Sequence, residues 1–276
     1  MENKGVQMQK LIFLLIIGFL AGSAVGIYMK DKPEEKVVGN EIKKEERYEQ
    51  PKWITYPAIK KSKSYSVLSD IRCHIDDGGY YNDSDLITAG HETTHGINSF
   101  IRNKYYDGTP INAFYCLEDR AIILNEPKTR IETVASQVPR SLRGSVYNLY
   151  LVEQASTWGD RSLYLLDEWI GYTNGSEVRK DLQIKSRAET VRYMLEFDVY
   201  AIVLAKILEE KEKSYNSENF KNFIRWNIER SMKIYNGENE AKYFLEKLKL
   251  EDDAESLRLF SRNYFGFEWC KNVFGF

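Results

Sequence analysis

The chain has 276 residues, enough for one large domain or two small ones around a sizeable core. Its 39 Lys and Arg nearly balance 41 Asp and Glu, leaving a formal net charge of -2. With no basic stripe or tail, no nucleic-acid partner is expected.

At the amino terminus, Lys4 and Lys10 precede an uncharged run from Leu11 to Met29, LIFLLIIGFLAGSAVGIYM. A spanning helix needs about 20 apolar residues and a signal-peptide core about 7–15. The run therefore predicts a signal anchor or signal peptide over residues 1–29, touching the membrane through residues 11–29. A single-pass cell-membrane protein with its bulk outside the cytoplasm is expected. Ala21-Gly22-Ser23-Ala24 offers small residues for cleavage, so secretion after signal removal is the alternative. Residues 30–52 are charged and poor in large apolar side chains, which reads as a solvated tether to a domain at 53–276. Cys73, Cys116 and Cys270 allow at most one bridge, or three buried thiols.

Within the domain, Trp53–Tyr56 and Tyr65–Leu68 are short β-prone runs, and Asp76-Asp77-Gly78-Gly79 is a turn signal. Asn82-Asp83-Ser84-Asp85 then supplies helix-capping residues ahead of Leu86, Ile87, Ala89, Ile97, Phe100 and Ile101, which recur at helical spacing. Inside this helix lies His91-Glu-Thr-Thr-His95, holding two of the chain's 3 histidines. Residues i and i+4 share one helix face, so His91 and His95 can hold one zinc ion and leave positions for a third ligand and a water. Glu92 stands beside that water as a general base. Asn98, one turn on, is a candidate second-shell or substrate-facing amide.

The pentapeptide resembles the HExxH motif of the zincin metallopeptidases. Metzincins place a third histidine six residues beyond the second, and that position is Ile101, so that class is excluded. The remaining histidine, His74, is a candidate ligand, hydrogen-bond donor to the reacting carbonyl, or loop residue.

Further along, Ala113–Leu124 reads as two short strands about a Glu118-Asp119 turn. Such a hairpin either binds an extended peptide by strand addition or only covers the helix. Helices are predicted over 131–138, 142–154, 163–182, 188–210, 217–234 and 240–248, followed by an aromatic carboxyl end that packs back on the domain. The helix from Leu163 carries Asp167 and Glu168 among apolar and aromatic neighbours. Burying a lone carboxylate costs several kcal/mol unless it is paired or bound to a metal, so Glu168 is the expected third zinc ligand. Asp167 points about 100° away and suits a hydrogen bond to a histidine N–H. Tyr164 and Tyr172, four residues either side of Glu168, are candidate donors to a developing oxyanion, as is His74.

A glutamate on a second, downstream helix is similar to the gluzincin arrangement. The thermolysin-type aspartate four residues after that glutamate is absent, since the position is Tyr172. The resemblance implies a zincin-like α+β domain, predominantly α-helical with a small β-sheet, behind the amino-terminal helix. It also implies zinc as cofactor and hydrolysis of a peptide or protein substrate. Two alternatives stand beside it: another zinc hydrolase, such as an amidase acting on cell-wall peptides, and a non-enzymatic surface protein with a structural zinc. The second requires a fourth protein ligand, for which His74 and Asp85 are the nearest suspects. The sequence leaves the oligomeric state unknown.

Overall fold

A computed structural model describes residues 49–276 apart from 63 and 216. Strand β1 (Ile54–Thr55) leads to helix α1 (Val67–Cys73) and the long α2 (Leu86–Tyr105). Strands β2 (Ile111–Tyr115) and β3 (Arg120–Asn125) follow, then α3 (Ile131–Gln137) and a π-helix (Tyr147–Glu153). Helices α4 (Ala155–Trp158), α5 (Tyr164–Asp181), α6 (Glu189–Lys211), α7 (Glu218–Ile234), α8 (Asn239–Leu250), α9 (Glu255–Phe265) and α10 (Phe267–Val273) complete the domain. Most described residues are helical, beside one antiparallel sheet of order β1-β3-β2, so the class is α+β. No helix among the described residues is long and apolar enough to cross a membrane. The expected span at 11–29 and the tether up to residue 48 lie outside the described residues. Pro51 is already buried and the Lys52 N–H donates to Asn219 Oδ1 (2.6 Å), so the domain's packing begins just ahead of residue 53.

Local chemistry explains where the elements begin. Asp85 caps α2, its carboxylate accepting from the Ile87 and Thr88 N–H groups. The expected β run at Tyr65–Leu68 is instead a helix start. Ser66 Oγ accepts from the Ser69 N–H (3.2 Å), and a capped first turn outweighs the β-propensity of four residues. The helix expected over 142–154 is also different. Arg140–Leu142 forms a 3₁₀ turn, and the backbone then widens to the π-helix, closed by Gln154 N–H to the Leu149 carbonyl (3.0 Å). The buried Glu196 of α6 holds its entry, accepting from the Ser145 and Val146 N–H groups at 3.0 Å each. That partner lies on α6, far along the chain.

Helix α6 is apolar nearly all round and forms the centre of the larger core, with α5, α7, α8 and α9 packed on it. A second core lies between the sheet, α1 and α2, where Ile71, Ile97, Ile101 and Tyr115 are fully enclosed. At the carboxyl end, Trp269 and Phe274 are buried in the larger core. All three cysteines are buried free thiols.

The hairpin's outer edge is closed at Tyr115. The Tyr115 N–H donates to Asn98 Oδ1 (2.6 Å), and the Tyr115 carbonyl accepts from Asn174 Nδ2 (3.0 Å). With these groups of β2 taken by α2 and α5, the observed role at Tyr115 is cover for the helices.

Candidate metal centre

The centre is built where α2 crosses α5. Helical spacing stacks His91 and His95 on the face of α2 that meets α5, and α5 presents Glu168 to both. Two glycines make this approach possible. A Cβ at Gly171 would lie 3.1 Å from His91 Nε2 and from His95 Cε1. One at Gly175 would lie 3.2 Å from the Ile87 carbonyl oxygen.

His91 Nε2 and His95 Nε2 are 2.9 Å apart, and Glu168 Oε2 lies 3.4 Å from the first and 3.5 Å from the second. Zinc bonds of about 2.0–2.2 Å to nitrogen and oxygen give tetrahedral edges of about 3.3 Å. The two edges to Glu168 match that size, and the edge between the histidines, at 2.9 Å, is shorter than it. Glu168 Oε2 is buried and meets no donor in hydrogen-bond geometry. The two imidazoles face this oxygen at ion-pair range but outside hydrogen-bond geometry, and a cation at the centre of the triangle would satisfy it more fully. The donor set and this orphaned oxygen both fit zinc. Among the described residues, no further His, Cys, Asp or Glu joins the group, which leaves the fourth position of a tetrahedron open. Asp85 caps α2 and pairs with Arg187 (3.1 Å).

Behind the triangle, the His95 Nδ1–H donates to Asp167 Oδ1 (2.7 Å), which directs the Nε2 lone pair to the centre. The same oxygen accepts from Asn98 Nδ2 (2.7 Å), and Arg102 Nη1 lies 3.6 Å from Asp167 Oδ2. Asn98 is fully buried, so its amide serves Asp167 and β2 rather than facing a substrate. The charges are tightly coupled. Burial alone would raise the Glu168 carboxyl, but the two imidazoles hold it down at about 2. Burial likewise opposes the His95 imidazolium, yet Asp167 and Glu168 outweigh it and raise His95 well above the ordinary histidine range. The triangle is thus an anionic socket that holds positive charge.

The remaining candidates fall in different places. Glu92 is exposed beside His91, with no hydrogen bond or ion pair of its own among the described residues. The Tyr172 ring meets the His91 ring edge-on at 4.4 Å. Its hydroxyl lies 2.8 Å from that of Tyr150, which stands in the segment expected as a helix over 142–154. Burial and the Glu168 charge push the Tyr150 phenol far up, so it stays a proton donor. Tyr164 lies instead between Trp158 (6.2 Å) and the Arg102 guanidinium (5.2 Å). His74 is taken up elsewhere, with Nδ1 2.6 Å from the Asp70 carbonyl oxygen and Nε2 2.7 Å from Asp119 Oδ1. Sequence reasoning missed Tyr150, which needs the π-helix to reach the site, and Gly171. The Gly171-x-x-x-Gly175 spacing was a readable sign of close helix packing. No family model, curated protein or solved structure matches the chain.

Proposed function

We propose that the chain is a zinc-dependent metallopeptidase of gluzincin type, anchored through residues 11–29 with its catalytic domain outside the cytoplasm. The observation that carries the reading is the triangle of His91, His95 and Glu168 with an orphaned buried carboxylate oxygen at one corner. Zinc held there would supply Lewis acidity and make a coordinated water acidic near neutral pH. Asp167 fixes the His95 ring and its tautomer. Glu92, exposed and adjacent to His91, accepts the proton of the attacking water and returns it to the leaving amine. Tyr150 and Tyr172 share one hydrogen bond between their hydroxyls, so the pair retains a proton to donate to the developing oxyanion.

The test is cleavage of a peptide library by the full-length, zinc-loaded chain beside Glu92→Gln. Cleavage in the wild type, lost in a Glu92→Gln chain that still holds the wild-type amount of zinc, is the expected result. No cleavage by the wild type, or equal cleavage by both, overturns the reading.

A further inference from the structure

A second cluster lies on α1. Asp70, Cys73 and the following C-cap His74 stand at i, i+3 and i+4, on one face, with a ligand atom from each lying within 4.8 Å of the others. His74 is 1% exposed, and both of its ring nitrogens face oxygen acceptors, the Asp70 carbonyl at 2.6 Å and Asp119 Oδ1 at 2.7 Å. A neutral imidazole has a single N–H, and the two donors nearest Nδ1 are given elsewhere, the Tyr115 hydroxyl to Asp70 Oδ2 (2.6 Å) and the Cys73 thiol to the Asp70 carbonyl (3.0 Å). With Nε2–H on Asp119, the Nδ1 lone pair therefore faces that carbonyl unless a further proton or a cation lies between.

The side on which a cation would sit follows from the surroundings. Asp119 ends a turn in which Leu117, Glu118 and Asp119 all take left-handed backbone, φ 67°, 54° and 58°. Non-glycine residues held this way are strained and persist where neighbours over-determine them. Here the neighbours are the Tyr56 N–H on the Asp119 carbonyl (2.7 Å), the Ala58 N–H on Asp119 Oδ1 (3.1 Å) and the Glu118 N–H on Asp70 Oδ2 (3.3 Å). The turn thus fixes a carboxylate on Nε2–H, the arrangement that orients a metal-bound histidine. Nδ1 faces the ligands Cys73 Sγ at 3.5 Å and Asp70 Oδ1 at 3.8 Å, with Tyr115 Oη beside them at 2.9 Å. Zinc bonds of about 2.3 Å to sulfur and 2.0–2.1 Å to nitrogen give a tetrahedral edge of about 3.5 Å. A cavity of about 560 Å³, lined by these residues with Asp119 and Lys60, leads to the cluster.

We propose that Asp70, Cys73 and His74 form a second site, independent of the triangle on α2 and α5, for a divalent cation of zinc or cobalt type. Thiolate and imidazole select such an ion over calcium or magnesium. The ion replaces the Cys73 thiol proton, which leaves to solvent, and the Nδ1 lone pair turns from the Asp70 carbonyl to the ion.

The test is titration of the chelated full-length chain with Co(II), followed by absorption. The wild type takes up two equivalents, and one of them brings a near-ultraviolet thiolate-to-cobalt band. His91→Ala/His95→Ala keeps the equivalent that carries the band, whereas Cys73→Ser loses it and keeps the other. A wild type without a sulfur band overturns the proposal, and so does a band that survives in Cys73→Ser. A wild type with one equivalent and the band removes the triangle instead and leaves the second site standing.

Discussion

Glu126 shows how one side chain couples the start of α5 to solution conditions. Its Oε2 accepts from the N–H of Leu163, the residue that opens α5, while Oε1 is buried without a partner. Burial, the largest influence, raises its carboxyl from 4.5 to about 7. A carboxyl raised on folding binds its proton more tightly in the folded state. Its contribution to stability is full below the unfolded value of 4.5 and is lost as pH rises through about 7. The full loss is worth about 3 kcal/mol. Glu126→Gln removes the titration, so the fall in Tm between pH 5 and pH 8 becomes smaller than in the wild type; an unchanged fall refutes the assignment. At this scale the sequence was legible wherever chemistry repeats at helical spacing. His91, Glu92 and His95 form such a pattern, and Glu168 stood out because an acid among apolar neighbours needs a partner. His74 was ambiguous, since its neighbours Asp119 and Tyr115 lie far along the chain and only folding makes them its partners.

Helices α2 and α5 meet closely because Gly171 and Gly175 leave room, and this contact sets the size of the triangle. In most helix interiors Gly→Ala stabilises by about 0.5–1 kcal/mol. At Gly171 the added methyl would lie 3.1 Å from both histidine rings, closer than side chains usually pack. Gly171→Ala therefore weakens zinc binding, on the order of tenfold or more, as disturbance of a ligand's supporting contacts does. Competition with a chromophoric chelator measures this, and a variant that binds zinc as well as wild type sinks the claim. Elements with local determinants were readable: the α2 cap, the hairpin turn, and the short α3. Elements with distant determinants were not. The π-helix depends on Glu196, and the closed edge of β2 depends on Asn98 and Asn174. No local pattern in either segment carries that information.

Across the whole domain, the triangle joins segments that the chain keeps far apart, with β2, β3, α3, the π-helix and α4 between them. The same hydrogen-bond chain runs from His95 through Asp167 and Asn98 to the backbone of β2. Without a cation, His91 and His95 set two nitrogens 2.9 Å apart against an orphaned carboxylate oxygen. The unfolded chain has no such assembled set, so zinc held there as proposed would bind the folded state preferentially and stabilise it by mass action. At a hundredfold excess over its Kd the gain is about 2.7 kcal/mol. For a domain of this size that is roughly 5–10 °C in Tm. Measuring the shift in a Cys73→Ser background silences the second site, so the triangle alone responds. Zinc then raises Tm in Cys73→Ser and leaves Cys73→Ser/Glu168→Ala unchanged. Equal shifts in the two chains would mean that Glu168 takes no part in binding, and the contact between α2 and α5 would then be held by packing alone.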